Sequence, residues 1–157
     1  MIIWDLSKFK CSKMVLESFS ITFKLCFEEE GSFWLTLVYN PNNSNLSKDL
    51  WVELQDLFGL TYPKWCVDGD FNVIRRILKK MCVFRLTSSM RCFDEFIKES
   101  GLIDPTLRNT TFTCSNMQAS PICKRLDRFL FSNKWDLFFP QSLQEALPRW
   151  SSNHKPN

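Results

Sequence analysis

Glycine is scarce, with four in 157 residues, which excludes a glycine-rich phosphate loop and a flexible linker. Histidine occurs once, at His154, near the end of the chain. A lone histidine there reads as a surface residue unless its neighbours say otherwise. The seven cysteines fall at 11, 26, 66, 82, 92, 114 and 123, and no two have the C-x-x-C spacing of a zinc site or a redox pair. Their odd number, and their place in strand-like apolar runs, suit small hydrophobes in a reducing compartment, without disulfides. No apolar run approaches the roughly 20 residues that span a bilayer. The apolar run at the N-terminus is too short for a signal peptide. The expectation is an intracellular chain with no membrane partner, with nucleus and cytoplasm both open. Net charge is also small, at +3, which permits nucleic-acid binding without demanding it.

Aromatics are plentiful. Fifteen Phe and six Trp supply ample apolar area for the single core that this length can build. Alternation in "SFSITFKLCF" (18–27) and in "SFWLTLVY" (32–39) predicts an antiparallel hairpin. The turn between them carries Glu28, Glu29 and Glu30, whose consecutive side chains diverge and so suit a solvated turn. A helix is predicted over 48–58, capped by Ser47 and closed by Gly59. A second is predicted over 89–100, capped by Ser88 or Thr87 and ended by Gly101, with Met90, Phe93, Phe96 and Ile97 on one face. Further strands are predicted at "IIWD" (2–5), "KWCVDGDF" (64–71), "TTFTCSN" (110–116), "KRLDRFLFS" (124–132) and "SLQEAL" (142–147), with a short helix or turn at "SNKWDLFF" (132–139). Strands and helices alternate irregularly. That pattern predicts a mixed α/β fold with a largely antiparallel sheet.

Two stretches invite a chemical reading. In "GDFN" (69–72) a strand ends on a carboxylate and an amide two residues apart, on the same side of the chain. A carboxylate can take a proton from water, and an amide can hold that water or a phosphate oxygen. The plainer reading is a polar turn, because Asp, Gly and Asn are common turn residues. The second stretch pairs Asp127 in "RLDRFLFS" with His154 in "LPRWSSNH". A carboxylate brought against an imidazole orients it and favours its charged form.

Taken in order along the chain, "WDLSKF", "SFSITFK", "VYNPN", "FGLTYPKWCVDGDFNVIRR", "SMRCFDEFIKESGLIDPTLRNTTFT", "KRLDRFLFSNKW" and "LPRWSSNH" carry a family resemblance. The chain resembles the endonuclease/exonuclease/phosphatase family, and more narrowly the apurinic-type endonuclease domain of plant LINE-type (non-LTR) retrotransposons. The resemblance implies a four-layered sandwich of two facing, mostly antiparallel sheets flanked by helices. It implies magnesium-dependent hydrolysis of a phosphodiester, with DNA as partner. Asp70 would then be the general base or acid, Asn72 would position water and phosphate, and Tyr39 would touch the phosphate. His154, held by Asp127, would stabilise the crowded phosphate. Arg75, Arg76 and Lys79 would meet the DNA backbone, or else form a solvated basic face.

The sequence also departs from that pattern. Asn153 stands where the family has the aspartate of Ser-Asp-His, and an amide replaces a carboxylate that would face the metal. The family's early strands, one carrying the metal-binding glutamate, have no counterpart. Asn40 stands where the family often has Gly, and Cys114 where it often has Trp. The expectation is a single partial domain over 1–157, incomplete at both ends. It would be a degenerate and inactive fragment of a retrotransposon-type metal-dependent endonuclease. The alternatives are an active magnesium-dependent phosphodiesterase, a non-catalytic nucleic-acid-binding module, or a functionless remnant.

Overall fold

The computed structural model describes residues 8–27, 31–41, 43–75, 87–109, 114–115, 123–140 and 144–145. Three strands come first: β1 (Phe9–Leu16), β2 (Ser20–Phe27) and β3 (Gly31–Tyr39). They form an antiparallel meander, with Phe27 opposite Gly31 at the predicted hairpin. Helix α1 (Ser44–Thr61) crosses over to β4 (Trp65–Asp70), which therefore lies parallel to β3. Helix α2 (Ser88–Glu99) and the two-residue β5 (Leu102–Ile103) follow. Short β6 (Cys114–Ser115) and β7 (Cys123–Lys124) pair with each other. Strand β8 (Asp127–Ser132) then inserts antiparallel between β4 and β5, and α3 (Asn133–Phe138) ends the described elements. The main sheet has six strands in the order β1-β2-β3-β4-β8-β5. Its single parallel pair, β3 with β4, leaves it largely antiparallel, as expected.

Alternation along the strands sends side chains to two faces. Trp34, Val38, Trp65, Val67 and Leu130 pack on the apolar stripes of α1 (Leu50, Trp51, Leu54, Leu57) and α2 (Met90, Phe93, Phe96, Ile97). Leu25, Phe33, Leu35, Cys66 and Phe131 form a second cluster with Trp135 of α3. Each large side chain buried in this way contributes roughly 1.5–3 kcal/mol relative to exposure. A carboxylate pins α1 to the sheet margin: Glu53 accepts from Ser18 N at 3.1 Å and from the Ser20 hydroxyl. The helices thus lie on both faces of one six-stranded sheet. The described part of the second sheet is the β6–β7 pair, so the facing-sheet sandwich is an expectation beyond what these residues display.

Several boundaries differ from the sequence reading. Strand β1 was not foreseen, because it is an edge strand with mostly exposed side chains and a register shift between Cys11 and Lys13. Helix α1 begins before Ser47, so Ser47 is not its cap, and Gly59 lies inside it rather than closing it. Thr87, not Ser88, caps α2, its hydroxyl accepting from Met90 N at 3.3 Å. The run 124–132 divides into β7 and β8. The strand expected at 2–5 and the three glutamates of the turn lie outside the described residues, as does most of the stretch 142–147. Cys11, Cys26, Cys66 and Cys92 are free thiols, and no described helix is long and apolar enough to cross a membrane.

Candidate active site at the ends of three strands

Three strand ends meet where β3 and β4 finish and β8 begins. Tyr39 is the register partner of Asp70, and Asp70 is the register partner of Asp127. Residues directly opposite share a face, and Asp68 lies two residues before Asp70. Asp68, Asp70, Asp127 and Tyr39 therefore all project on the α3 side of the sheet. Asp70 and Asp127, named from the sequence in two separate stretches, thus lie directly opposite each other on adjacent strands. Tyr39 is well exposed beside them, at 65%.

Gly69 makes this crowding possible. Its φ is +151°, and a Cβ there would lie 2.0 Å from the Val38 carbonyl oxygen. Only a residue without a side chain lets β3 and β4 approach at that point. Past Asp70 the chain turns through Asn72, whose φ of 49° is left-handed, a conformation that asparagine tolerates better than most residues. The Asn72 N–H donates to Asp70 Oδ1 at 2.9 Å, and its side-chain amide donates to the Asn40 carbonyl. Asn72 is therefore fixed beside Asp70.

Asn40 is the residue that sequence reasoning treated only as a departure from a family pattern. It is 1% exposed and holds the turn from three sides. Its N–H donates to Asp70 O at 2.9 Å, its Nδ2 donates to Phe71 O at 2.6 Å, and its Oδ1 accepts from Ser47 Oγ at 2.7 Å. Ser47 thus reaches out of α1 to the site instead of capping its own helix. The signal that could have exposed this role was "NPN" directly after a strand, a polar residue with backbone to satisfy.

Electrostatics separate the two faces of β8. Burial raises the Asp68 carboxyl above the usual carboxylate range, and the Asp127 charge adds to that rise. Burial likewise raises Asp70, opposed by the Asn72 N–H and reinforced by Asp127. On the other face a single carboxylate, Asp104, meets three guanidinium groups. Arg128 Nη1 donates to its Oδ2 at 2.8 Å and Arg75 Nη1 at 3.1 Å, while Arg125 Nη2 lies 3.1 Å from its Oδ1. The Arg125 contact is an ion pair without hydrogen-bond alignment, since that nitrogen donates to Pro105 O and Gln144 Oε1, each at 2.7 Å. Arg75 also donates to Asp94 at 3.2 Å and is only 15% exposed. Arg75 was expected against DNA or on a solvated face; its guanidinium is instead occupied within the protein. Arg76, Lys79, Asn153 and His154, and with them the Asp127–His154 pairing expected from the sequence, lie outside the described residues. Asp104 and Arg128 were missed altogether, because charges separated by 24 positions give no local pattern.

A scan against protein-family models gave no match, and neither did a search of curated proteins. Solved structures do match. An endonuclease/exonuclease/phosphatase family protein from Bacteroides thetaiotaomicron superposes with a TM-score of 0.59 over 83% of this chain and 53% of its own, at 15% identity. The fold is that of the endonuclease/exonuclease/phosphatase proteins. The human Nocturnin catalytic domain, solved with a bound sulfate, matches at a TM-score of 0.55 and 14% identity, over 82% of this chain and 50% of its own. The endonuclease domain of TRAS1, a telomere-specific non-LTR retrotransposon, matches at 0.55 and 9% identity, over 74% and 51%. The chain therefore spans about half the length of each of these structures.

Proposed function

We propose that the chain supplies one wall of a phosphodiester-hydrolysing site of the retrotransposon-endonuclease kind, acting on DNA, and that residues 1–157 do not cleave DNA by themselves. The observation that carries the reading is the register pairing of Asp70 with Asp127, beside an Asn72 locked by Asp70 and Asn40. In that arrangement Asp70, its proton affinity raised by burial, takes a proton from an attacking water or hands one to a leaving oxygen. The Asn72 amide oxygen orients the water, and the Tyr39 hydroxyl is exposed to meet a phosphate oxygen. The retrotransposon neighbour supports the substrate class at the level of fold.

Magnesium takes oxygen donors in near-octahedral geometry. The acids here are of that type, but among the described residues no three His, Cys, Asp or Glu side chains are grouped to hold a metal ion. The described donor set does not make a complete site. Asn153, an amide at the position of a family carboxylate, points the same way. The test is nicking of supercoiled plasmid in magnesium. Cleavage by the purified chain should be no greater than by its Asp70→Ala variant. Nicking that is abolished in both Asp70→Ala and His154→Ala would establish an active enzyme and overturn the inactivity.

A further inference from the structure

The outer side of α1 borders a groove of about 430 Å³ against the β1–β2 turn. Its floor is apolar: Val15, Phe19 and Leu57 line it, and all three pack into or against the core under the helices. The groove is therefore on the helix side of the sheet, whereas Asp70 projects on the α3 side. Along α1 it is edged by Val52, Asp56 and Leu60, at i, i+4 and i+8, a ridge of the kind that packs against a second helix. Val52 is 58% exposed and Leu60 40%, although the core stripe of α1 is buried. An exposed apolar strip rimmed by charge marks a surface that meets a partner.

The charge of the rim has one sign. Four of the ten residues that line the groove are carboxylates, and none of the ten is a base. Glu53 is taken up by the chain itself, accepting from Ser18 N at 3.1 Å, from Phe19 N at 3.2 Å and from the Ser20 hydroxyl. Glu17, Asp49 and Asp56 remain exposed, and among the described residues none of them forms an ion pair. Lys13, two residues before Val15 on β1, is directed to the Trp34 ring, its ammonium 6.0 Å from the centroid. Lys48 is the neighbour of Asp49, but it lies about 100° further round the helix and does not line the groove. The N-terminus of α1 supplies about half a positive charge, which offsets only a fraction of three carboxylates.

We propose that this groove docks a basic amphipathic helix of a protein partner. Two apolar side chains of that helix cover Val52 and Leu60, a Lys or Arg between them meets Asp56, and further bases reach Asp49 and Glu17. Charge complementarity selects the occupant, and the spacing fits it. Helices in grooves bind through anchors at i, i+3, i+4 and i+7. Positions i and i+7 are about 10.5 Å apart along a helix, and Val52 and Leu60 about 12 Å. An added strand suits the place less well, because β1 carries Lys10, Lys13 and a register shift, features that discourage pairing at a sheet edge. The contact requires no hydrolysis and stands apart from the proposed function.

Fluorescence anisotropy with a labelled alanine-based helical peptide, carrying Leu at i and i+7 and Lys at i+3 and i+4, tests it. E17Q/D49N/D56N should weaken binding at least tenfold and remove most of its salt dependence, because screening acts on the rim pairs. V52Q/L60Q should also weaken binding at least tenfold but leave the salt dependence in place, because it removes apolar contact and no charge. All five positions are exposed, so the thermal midpoint should stay close to that of the unaltered chain. E95Q/E99Q/D136N removes the same charge from exposed positions outside the groove and should change affinity little. Absence of binding by the unaltered chain, or equal weakening by the two triple variants, would overturn the proposal. So would equally tight binding of a peptide with Gln in place of both leucines, which would leave only a diffuse ionic attraction. A dimer in sedimentation that V52Q/L60Q abolishes would put a second copy of the chain in the groove and overturn it as well.

Discussion

Asp127 and Arg128 are neighbours on β8, yet they inhabit opposite electrostatic worlds. Asp127 faces the α3 side, where Asp68 and Asp70 also project, and there acid crowds acid. Arg128 faces the helix side, over the Phe93 ring at 5.3 Å and against Asp104 at 2.8 Å. Its surroundings hold Arg75, Arg125, Asp104 and Asp94, and nearly every charge there has an opposite partner. One face carries compensated charges that hold the sheet to its loops. The other carries the carboxyls of Asp68 and Asp70, raised first by burial and further by the Asp127 charge, which is how a site differs from a scaffold. The comparison is sharpest if the same chemical change, carboxylate to amide, is made on each face.

The largest effect is expected on the compensated face. Asp104→Asn leaves three guanidinium groups around a neutral amide. Burial already lowers the Arg128 pKa to about 10, with Asp104 opposing the fall, so Arg128 remains a buried charge at neutral pH that Asp104 offsets. Breaking a buried ion pair by removing one partner costs about 3–5 kcal/mol, and urea unfolding should report a loss of that size. A loss below about 1 kcal/mol, the value of a surface pair, would mean that water reaches the cluster and that the contrast between the faces is smaller than drawn.

Asn40 links the two faces, since it joins the end of β3 to the turn after Asp70 and to Ser47 of α1. Asn40→Ala strands the Phe71 carbonyl and the Ser47 hydroxyl in the interior. Each buried group left unpaired costs about 1–3 kcal/mol, so a loss of about 2–4 kcal/mol is expected in the same unfolding experiment. Asn40→Gly, the residue the family pattern prefers, should cost nearly as much if these hydrogen bonds matter here.

What the sequence disclosed follows from how local each feature is. The hairpin of β2 and β3, the α2 cap region and the strand ending in "GDFN" rest on short-range patterns, and the structure contains all three. Asp70 and Asn72 were legible as a pair because two residues of strand separate them. Strand β1 escaped because its one-residue irregularity breaks the alternation and most of its side chains are exposed. The start of α1 was misplaced because Ser47, a plausible cap by type, is bonded to Asn40 instead. Asp104 with its arginines escaped because their partnership is created only by the sheet order. Arg75 shows the converse: a basic residue following a candidate motif invites a ligand reading, and only the fold reveals the acids it already serves.

The smallest effect, and the one of opposite sign, is expected on the acid face. Asp70 is raised in the folded state, first by burial and then by Asp127. A carboxyl whose folded pKa lies above its unfolded value binds protons more readily when folded. Its ionised form therefore subtracts stability at neutral pH, and this cost fades as pH falls through the raised pKa and below the unfolded one. Asp70→Asn keeps an oxygen to accept from the Asn72 N–H and removes the charge next to Asp127. It should raise the thermal midpoint slightly at pH 7. The gain should shrink towards zero below pH 4, where wild type and variant are both neutral at this position. A midpoint that falls at pH 7 would mean that the ionised Asp70 is compensated after all, by a cation or by a segment outside the described residues, and the two faces of β8 would then be alike.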